Sequence, residues 1–258
     1  MKILVNGCSH SKCGYSTFID ESKKIIHTPL KTNVNSWQWF LVKKLNINKI
    51  LSIYTNFPAP PHKASDFRPS VPIDYIFEYN ESDCIISLAT DGKGNDSILM
   101  DTLSSLRGFE NKGEKIDLVL IQFSGPTRRL VSPDNVRYSY SNPHDNFEYG
   151  LNFEPSASLI TLHNMVILQD YLKKGGYDYY FLNYFPLNKL IKEETIYNEL
   201  DLSKFISYKD THPIFDGWID NIKKDGLALD EAGHPNIDLM KIISDEFFLK
   251  IKNTRNLL

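Results

Sequence analysis

The chain opens with Ile3-Leu4-Val5-Asn6-Gly7-Cys8-Ser9-His10-Ser11, a stretch that joins a short apolar run to an abrupt break. The three consecutive aliphatic residues at 3–5 predict a buried β-strand. Asn6-Gly7 ends this strand, because glycine adopts backbone angles that bulkier residues avoid. Ser9 therefore follows just past the carboxyl end of the strand. In open α/β sheets this is the edge at which ligands bind.

Strand-like and helix-like segments alternate along the rest of the chain. Apolar runs predict further strands at 47–54, 84–89, 117–123 and 178–185. One-sided apolar patterns predict helices that begin at 35–37, 95–98, 156–158 and 236–237. The run at 117–123 is continuously apolar, which indicates a strand covered on both faces, as in a parallel sheet. The alternation predicts a three-layer α/β/α sandwich with a mostly parallel sheet.

The composition is typical of a globular domain, with 258 residues, of which 41% are hydrophobic and 24% charged. A net charge of −3 argues against a large basic surface for nucleic acid. No apolar run reaches the roughly 20 residues that span a bilayer, and no signal-peptide pattern opens the chain. We therefore expect one cytoplasmic domain over 1–258, with neither a nucleic-acid nor a membrane partner. Its oligomeric state cannot be read from the sequence.

Three segments do not fit the alternation of predicted strands and helices. Residues 55–84 carry five prolines, which lack an N–H and are excluded from helix interiors and central strands. Residues 130–155 are rich in Tyr, Asn, Pro and Asp without sustained periodicity, so we expect a long loop that acts as a lid or a binding loop. Both segments are interpreted as insertions in the domain. Residues 12–33 are polar and irregular, and predict a loop over the sheet edge.

The three cysteines, Cys8, Cys13 and Cys84, form no pair of Cys-x-x-Cys units. No structural zinc site is therefore expected, and a reducing compartment fits best. Cys8 is a second candidate nucleophile, since thiolates are strong nucleophiles. The alternative for Cys8 is a small, half-buried residue beside Ser9.

Three separated motifs resemble the catalytic blocks of the SGNH (GDSL-like) hydrolases, in the family's order and at strand ends. The first is Gly7-Cys8-Ser9, where the family usually has Asp in the place of Cys8. The second is Leu88 to Ile98, with Gly92 and Asn95. The third is Asp230 to His234, just before the predicted last helix. The resemblance implies a flavodoxin-like sheet and a nucleophilic Ser9, and divergent members of this kind occur in phages and bacteria.

The strand at 117–123 ends in Ser124-Gly125-Pro126, where the SGNH hydrolases normally show Gly-x-Asn-Asp. In that family the Asn donates a hydrogen bond to the oxyanion. Either Asn95 or a group from Ser124 to Arg128 would have to replace it here.

A serine nucleophile needs a base within hydrogen-bond reach, and the base needs an acidic partner. His234 is the expected base, since the SGNH hydrolases have Asp-x-x-His at this place. Glu231 has the three-residue spacing and Asp230 lies four residues before His234, so either carboxylate is a candidate to orient the ring. The end of the chain can also be aligned with the family motif in a second register, over Asp225-Gly226-Leu227-Ala228. In this register Ala228 stands where the family has its His, and the triad is broken. His212 is a third candidate base.

The resemblance implies a serine esterase acting on a small ester, such as an O-acetyl group of a carbohydrate, without metal or cofactor. The N–H groups of Ser9 and Gly92, with the Asn95 side chain, would bind the oxyanion. The alternative is an inactive protein of the same fold with a binding or structural role, as in phage- or virus-type accessory proteins. A nucleotide site is a third hypothesis that rests only on Gly92 and Gly94, whose spacing fits neither phosphate-loop motif.

Overall fold

A computed structural model describes the chain at residues 1–7, 15–19, 25–29, 37–47, 50–52, 83–89, 93–126, 129–131, 138–140, 155–226 and 237–255. The strands are β1 (Lys2–Asn6), β2 (Tyr15–Ile19), β3 (Ile25–Pro29), β4 (Ile50–Ser52), β5 (Cys84–Ser87), β6 (Leu118–Phe123), β7 (Arg129–Val131), β8 (Tyr138–Tyr140) and β9 (Asp178–Asn183). The α-helices are α1 (Trp37–Lys44), α2 (Asn95–Asn111), α3 (Pro155–Lys174), α4 (Trp218–Lys224) and α5 (Ile237–Arg255). Short 3-10 helices at Lys189–Glu193, Thr195–Glu199 and Leu202–Lys204 follow β9.

Five parallel strands form the central sheet, in the order β4-β5-β1-β6-β9. The chain first visits β4 and β5 on one side of β1, and then β6 and β9 on the other side. The winding direction therefore reverses beside β1, which creates a topological switch point. A crevice at the carboxyl ends of the strands is where such sheets bind ligands.

Helices cover both faces of this sheet. Successive side chains of a strand point to opposite faces, so each strand contributes to two separate cores. One core joins α2 and α3 to the face that includes Leu4, Ile86, Val119, Ile121 and Phe181. The other joins α1, α4 and α5 to the face that includes Ile3, Val5, Leu118, Leu120 and Leu182. The predicted α/β class, with a parallel sheet flanked by helices, is confirmed.

The ends of the predicted helices follow local backbone rules. Gly176, at φ +68, ends α3, and the N–H of Tyr177 donates to the carbonyl of Leu172 at 2.9 Å. The sequence Gly175-Gly176 predicts that the helix stops here, and this prediction is confirmed. Asn46 follows α1 in the same left-handed region. Strand β4 lies within the predicted strand at 47–54, Ile47 is not part of it, and residues 48–49 and 53–54 lie outside the described residues.

The prediction of loops at 12–33 and 130–155 is wrong for part of each segment. Strands β2 and β3 form one antiparallel hairpin, and β7 and β8 form another. Aromatic and β-branched residues such as Tyr15, Thr17 and Phe18 favour strands even among polar neighbours, and pairing across a turn satisfies their backbone groups. Residues 53–82, which include the prolines of the first insertion, lie outside the described residues.

The open edge of the sheet at β9 is covered by residues 204–206. The N–H of Ile206 donates to the carbonyl of Phe181 at 2.8 Å, and Phe205 forms a parallel bridge with Phe181. The Lys204 ammonium lies over the rings of two residues of β9, at 5.3 and 5.4 Å from their centroids. Throughout the described ranges, no helix has the length and apolarity to cross a membrane.

Candidate functional site

Buried polar side chains mark the carboxyl ends of four parallel strands. They are Asn6 of β1, Ser87 of β5, Ser124 after β6 and Asn183 of β9, and none is more than 1% exposed. Because the strands are parallel and in register, these side chains share one edge of the sheet. Within the described part of the chain, the hydroxyls of Ser87 and Ser124 make no hydrogen bond. Buried polar groups therefore cluster at this edge of the sheet.

Asn6 holds the backbone at the end of β1. Its Oδ1 accepts a hydrogen bond from the N–H of Gly7 at 2.8 Å. Its Nδ2 donates to the carbonyl of Ile98 at 3.0 Å and to the hydroxyl of Thr102 at 2.9 Å, both on α2. One side chain therefore ties the carboxyl end of the central strand to a helix nearly a hundred residues later. The Asn-Gly pair predicted the end of the strand at this place, but not this contact with the helix.

Lys93 is buried beside Asn6, with only 3% of its surface exposed. Its ammonium donates to Oδ1 of Asn6 and to the carbonyl of Leu88, both at 2.8 Å, and forms an ion pair of 2.5 Å with Asp101. Charged groups are seldom buried unless they are paired. Sequence reasoning missed both charged residues. One signal was available in the sequence. Asp101 is a carboxylate on the buried face of α2, next to Thr102, and a buried carboxylate requires a charged or polar partner.

Asn95 was predicted to donate a hydrogen bond to the oxyanion. In the structure its Nδ2 donates to the carbonyl of Ser124 and to the hydroxyl of Thr161, each at 3.1 Å, and its Oδ1 accepts from the N–H of Ser124 at 2.7 Å. Asn95 therefore joins the first turn of α2 to α3 and to the residue that follows β6. Both amide hydrogens are used by protein acceptors. The oxyanion role stays a prediction, and it requires Asn95 to release one of these bonds.

The other predicted site residues lie outside the described residues. These are Ser9, Gly92, Asp230 and His234, together with Cys8, Glu231 and Ala228 of the alternative assignments. Described residues lie close to each of them in the chain. Ser9 comes two residues after Gly7, Gly92 directly precedes Lys93, and His234 comes three residues before α5.

Helix α5 starts on the carboxyl side of the sheet. Near its end, the Tyr180 hydroxyl of β9 donates to the carbonyl of Lys250 at 3.3 Å. Near its middle, Phe247 stacks on Trp37 with ring centroids 4.5 Å apart, and the Trp37 indole N–H donates to Gln122 at 3.0 Å. Gln122 is closer to the carboxyl end of the sheet than Tyr180, because it pairs with the residue two positions later in β9. The first turn of α5 is therefore on the same side as Gly7.

Asp225, the carboxylate of the second register, lies at the end of α4. It accepts hydrogen bonds from the Tyr208 hydroxyl at 2.6 Å and the Lys209 ammonium at 2.5 Å. The hydrogen bond from Lys209, followed by that from Tyr208, lowers the pKa of the Asp225 carboxyl. Asp225 thus has two described partners of its own, and neither is a histidine.

His212, the third candidate base, lies on a turn against the carboxyl end of β9. The carbonyl of Ile214 in this turn accepts a hydrogen bond from Nδ2 of Asn183 at 3.1 Å. Nδ1 of His212 accepts from the N–H groups of Ile214 and Phe215 at 3.2 and 3.3 Å. With Nδ1 an acceptor, Nε2 carries the hydrogen and donates to the Tyr197 hydroxyl at 2.9 Å. Both ring nitrogens are therefore engaged in holding the turn.

The titration of His212 makes the stability of the protein depend on pH. Burial lowers the pKa of this imidazole below its ordinary value of 6.5, the charge of Asp216 opposes the shift, and Lys192 and Lys189 add to it. The unfolded chain therefore binds the proton more readily. The stabilising contribution is complete above pH 6.5 and is lost as the pH falls through the lower pKa of the folded protein.

We expect the free energy of unfolding to decrease between pH 7 and pH 5 more steeply for the unmodified chain than for His212→Gln, because glutamine does not titrate. Denaturant titrations of the two proteins at matched pH values measure the difference in slope. Equal slopes for the two proteins would contradict the attribution of this pH dependence to His212.

A scan against protein-family models and a search of curated proteins give no match to this chain.

Proposed function

We propose that the protein is a serine esterase of the SGNH type, which hydrolyses an acyl ester such as an O-acetyl group of a carbohydrate. The observation that carries the proposal is the position of Gly7. It ends the central strand beside the switch point of a parallel sheet, two residues before Ser9. The strands β5-β1-β6-β9 follow the order 2-1-3-4 of a flavodoxin-like sheet, with β4 as an additional edge strand. The fold we propose is accordingly the three-layer SGNH sandwich.

The proposed reaction is acyl transfer through Ser9. The Ser9 hydroxyl attacks the ester carbonyl while His234 takes its proton, and His234 then gives that proton to the leaving alcohol. Asp230 or Glu231 orients the imidazole. Water, deprotonated by His234, then attacks the acyl carbon. The bond to the Ser9 oxygen breaks, His234 returns the proton to that oxygen, and the acyl group leaves as a carboxylic acid. The position of α5, which begins on the same side of the sheet as Gly7, supports this pairing of distant segments.

The oxyanion would be bound by the N–H groups of Ser9 and Gly92 and by one side chain. Donors aimed at this developing charge contribute strongly to catalysis. We assign the side-chain donor to Ser124 ahead of Asn95, because both Asn95 amide hydrogens have protein acceptors. The Ser124 hydroxyl makes no hydrogen bond among the described residues, and its backbone is held by Asn95.

The second candidate function is a binding or structural role for an inactive protein of the same fold. The bonds of Asn95 favour it, since they leave this amide with no hydrogen for an oxyanion. Cys8 in the place of the usual Asp favours it as well. The two candidates differ in whether Ser9 is a reactive nucleophile.

Labelling with a fluorophosphonate probe distinguishes the two candidates. Such probes form a covalent bond only with an activated hydroxyl, so we expect the native protein to be modified at Ser9, as located by mass spectrometry of its peptides. The heat-denatured protein is the control for non-specific labelling, and Cys8→Ala and Ser11→Ala should retain the modification. A native protein that takes up no label, or that is labelled elsewhere, would refute the esterase proposal.

A further inference from the structure

We propose that Lys93 is a positioning residue, which holds the end of β1, the segment after β5 and α2 in a fixed relation at the carboxyl edge of the sheet. The inference rests on the proposed function, because Ser9 comes two residues after Gly7 and Gly92 directly precedes Lys93 in the chain. Its structural part can be tested without any enzymatic reaction.

The Lys93 ammonium joins three separate parts of the fold. Its three N–H donors have partners in the end of β1, the segment after β5, and α2. The partners are Oδ1 of Asn6 and the carbonyl of Leu88, each at 2.8 Å, and the Asp101 carboxylate at 2.5 Å. These parts meet beside the switch point of the sheet, so one buried charge connects three elements at its carboxyl edge.

The bond to Leu88 closes the segment that contains Gly92. Leu88 and Lys93 are five residues apart, and the lysine side chain folds back onto the Leu88 carbonyl. The N–H of Leu88 in turn donates to the carbonyl of Val5 at 2.7 Å. The two described ends of the segment, on either side of residues 90–92, are therefore fastened to each other and to β1.

The bond to Asn6 links this segment to the end of β1. Oδ1 of Asn6 accepts at once from the Lys93 ammonium and from the N–H of Gly7. A cation polarises the amide that it touches, and hydrogen bonds in a buried chain strengthen one another. Lys93 thereby stabilises the conformation in which Gly7 leaves β1.

A contribution to stability alone does not explain a buried ion pair at this place. The cost of removing two charges from water largely cancels their attraction, and well-packed apolar residues of similar size often replace such pairs without loss. What an apolar pair cannot provide is three directed hydrogen bonds to three elements. The directed bonds are therefore the property that we assign to Lys93.

The test uses Lys93→Met combined with Asp101→Leu, so that no unpaired charge stays buried. The matched control is Lys44→Met with Asp245→Leu, which removes a surface pair of 2.7 Å between α1 and α5. We expect amide hydrogen exchange at Gly7, followed by NMR, to be roughly tenfold faster in the Lys93 double variant. For p-nitrophenyl acetate we expect kcat to fall roughly 10- to 100-fold and KM to stay within about threefold. The control should change neither readout.

Unchanged Gly7 exchange in a folded Lys93 double variant would overturn the inference, and so would an unchanged kcat. If the native protein hydrolyses no ester, the proposed function fails, and Gly7 exchange alone then decides the role of Lys93. Should the double variant not fold, Lys93→Arg replaces it. Arginine keeps a charge for Asp101, but its planar fork does not reproduce three divergent bonds. The same acceleration of Gly7 exchange is expected, and its absence would refute the positioning role.

Discussion

We expect Ser9→Ala to hydrolyse p-nitrophenyl acetate at least about 1000-fold more slowly than the unmodified chain, because the hydroxyl supplies the oxygen that bonds to the acyl carbon. His234→Ala should lose activity to a similar extent. The two groups act as one unit, so the double variant should be no slower than either single variant. Initial rates at saturating ester, with each protein shown to unfold cooperatively, measure the effect.

Ser11→Ala is the matched control for Ser9→Ala, since it removes a hydroxyl two residues away in the same stretch of sequence. It should retain most of the activity. A Ser9→Ala protein whose rate stays within about tenfold of the unmodified chain would contradict a serine mechanism. Loss of activity in Cys8→Ala alone would instead assign the nucleophile to the neighbouring thiol.

Trp37→Ala should lower the free energy of unfolding by about 3–5 kcal/mol, which is the usual cost of removing a large buried aromatic ring. Trp37 is fully buried, stacks on Phe247 at 4.5 Å, and donates its indole N–H to Gln122 at 3.0 Å. The substitution leaves a cavity between α1, α5 and the sheet. Urea denaturation, analysed as a two-state transition, measures the change.

Two further variants separate the contributions of Trp37. Trp37→Phe keeps an aromatic ring but loses the donor to Gln122, so we expect a smaller loss, about 1–3 kcal/mol. Leu249→Ala is the surface control, because this side chain of α5 is half exposed, and should change stability by no more than about 0.5 kcal/mol. A Trp37→Ala protein as stable as the Leu249→Ala protein would show that this packing is not important.

The elements of the central sheet could be predicted because their signals are local. The apolar runs at 3–5 and 117–123 are continuous, and a strand buried on both faces requires this pattern. The signals for the helices were equally local. They are the one-sided apolar pattern of the first helix and the paired glycines that end the third.

The polar network at the carboxyl edge could not be predicted, because its contacts join residues far apart in the chain. Asn6 and Lys93 are separated by 87 positions, and no spacing rule brings their side chains together. Asn95 shows the same limit, since its place at the start of a helix was predicted but its bonds to Ser124 and Thr161 were not. The paired strands β2–β3 and β7–β8 were missed for another reason, because each is only three to five residues long and has polar neighbours in the sequence.

The cover over β9 has a consequence for how the protein behaves towards copies of itself. An exposed outer strand offers unpaired N–H and C=O groups to any other strand, and this is a common route to aggregation. The strand Asp178–Asn183 is rich in aromatic residues that favour such pairing. The Ile206 N–H already occupies the carbonyl of Phe181, and Lys204 places a positive charge beside the same strand. Residues 204–206, at the end of the last 3-10 helix, thus oppose the addition of a strand from another copy at this edge of the sheet.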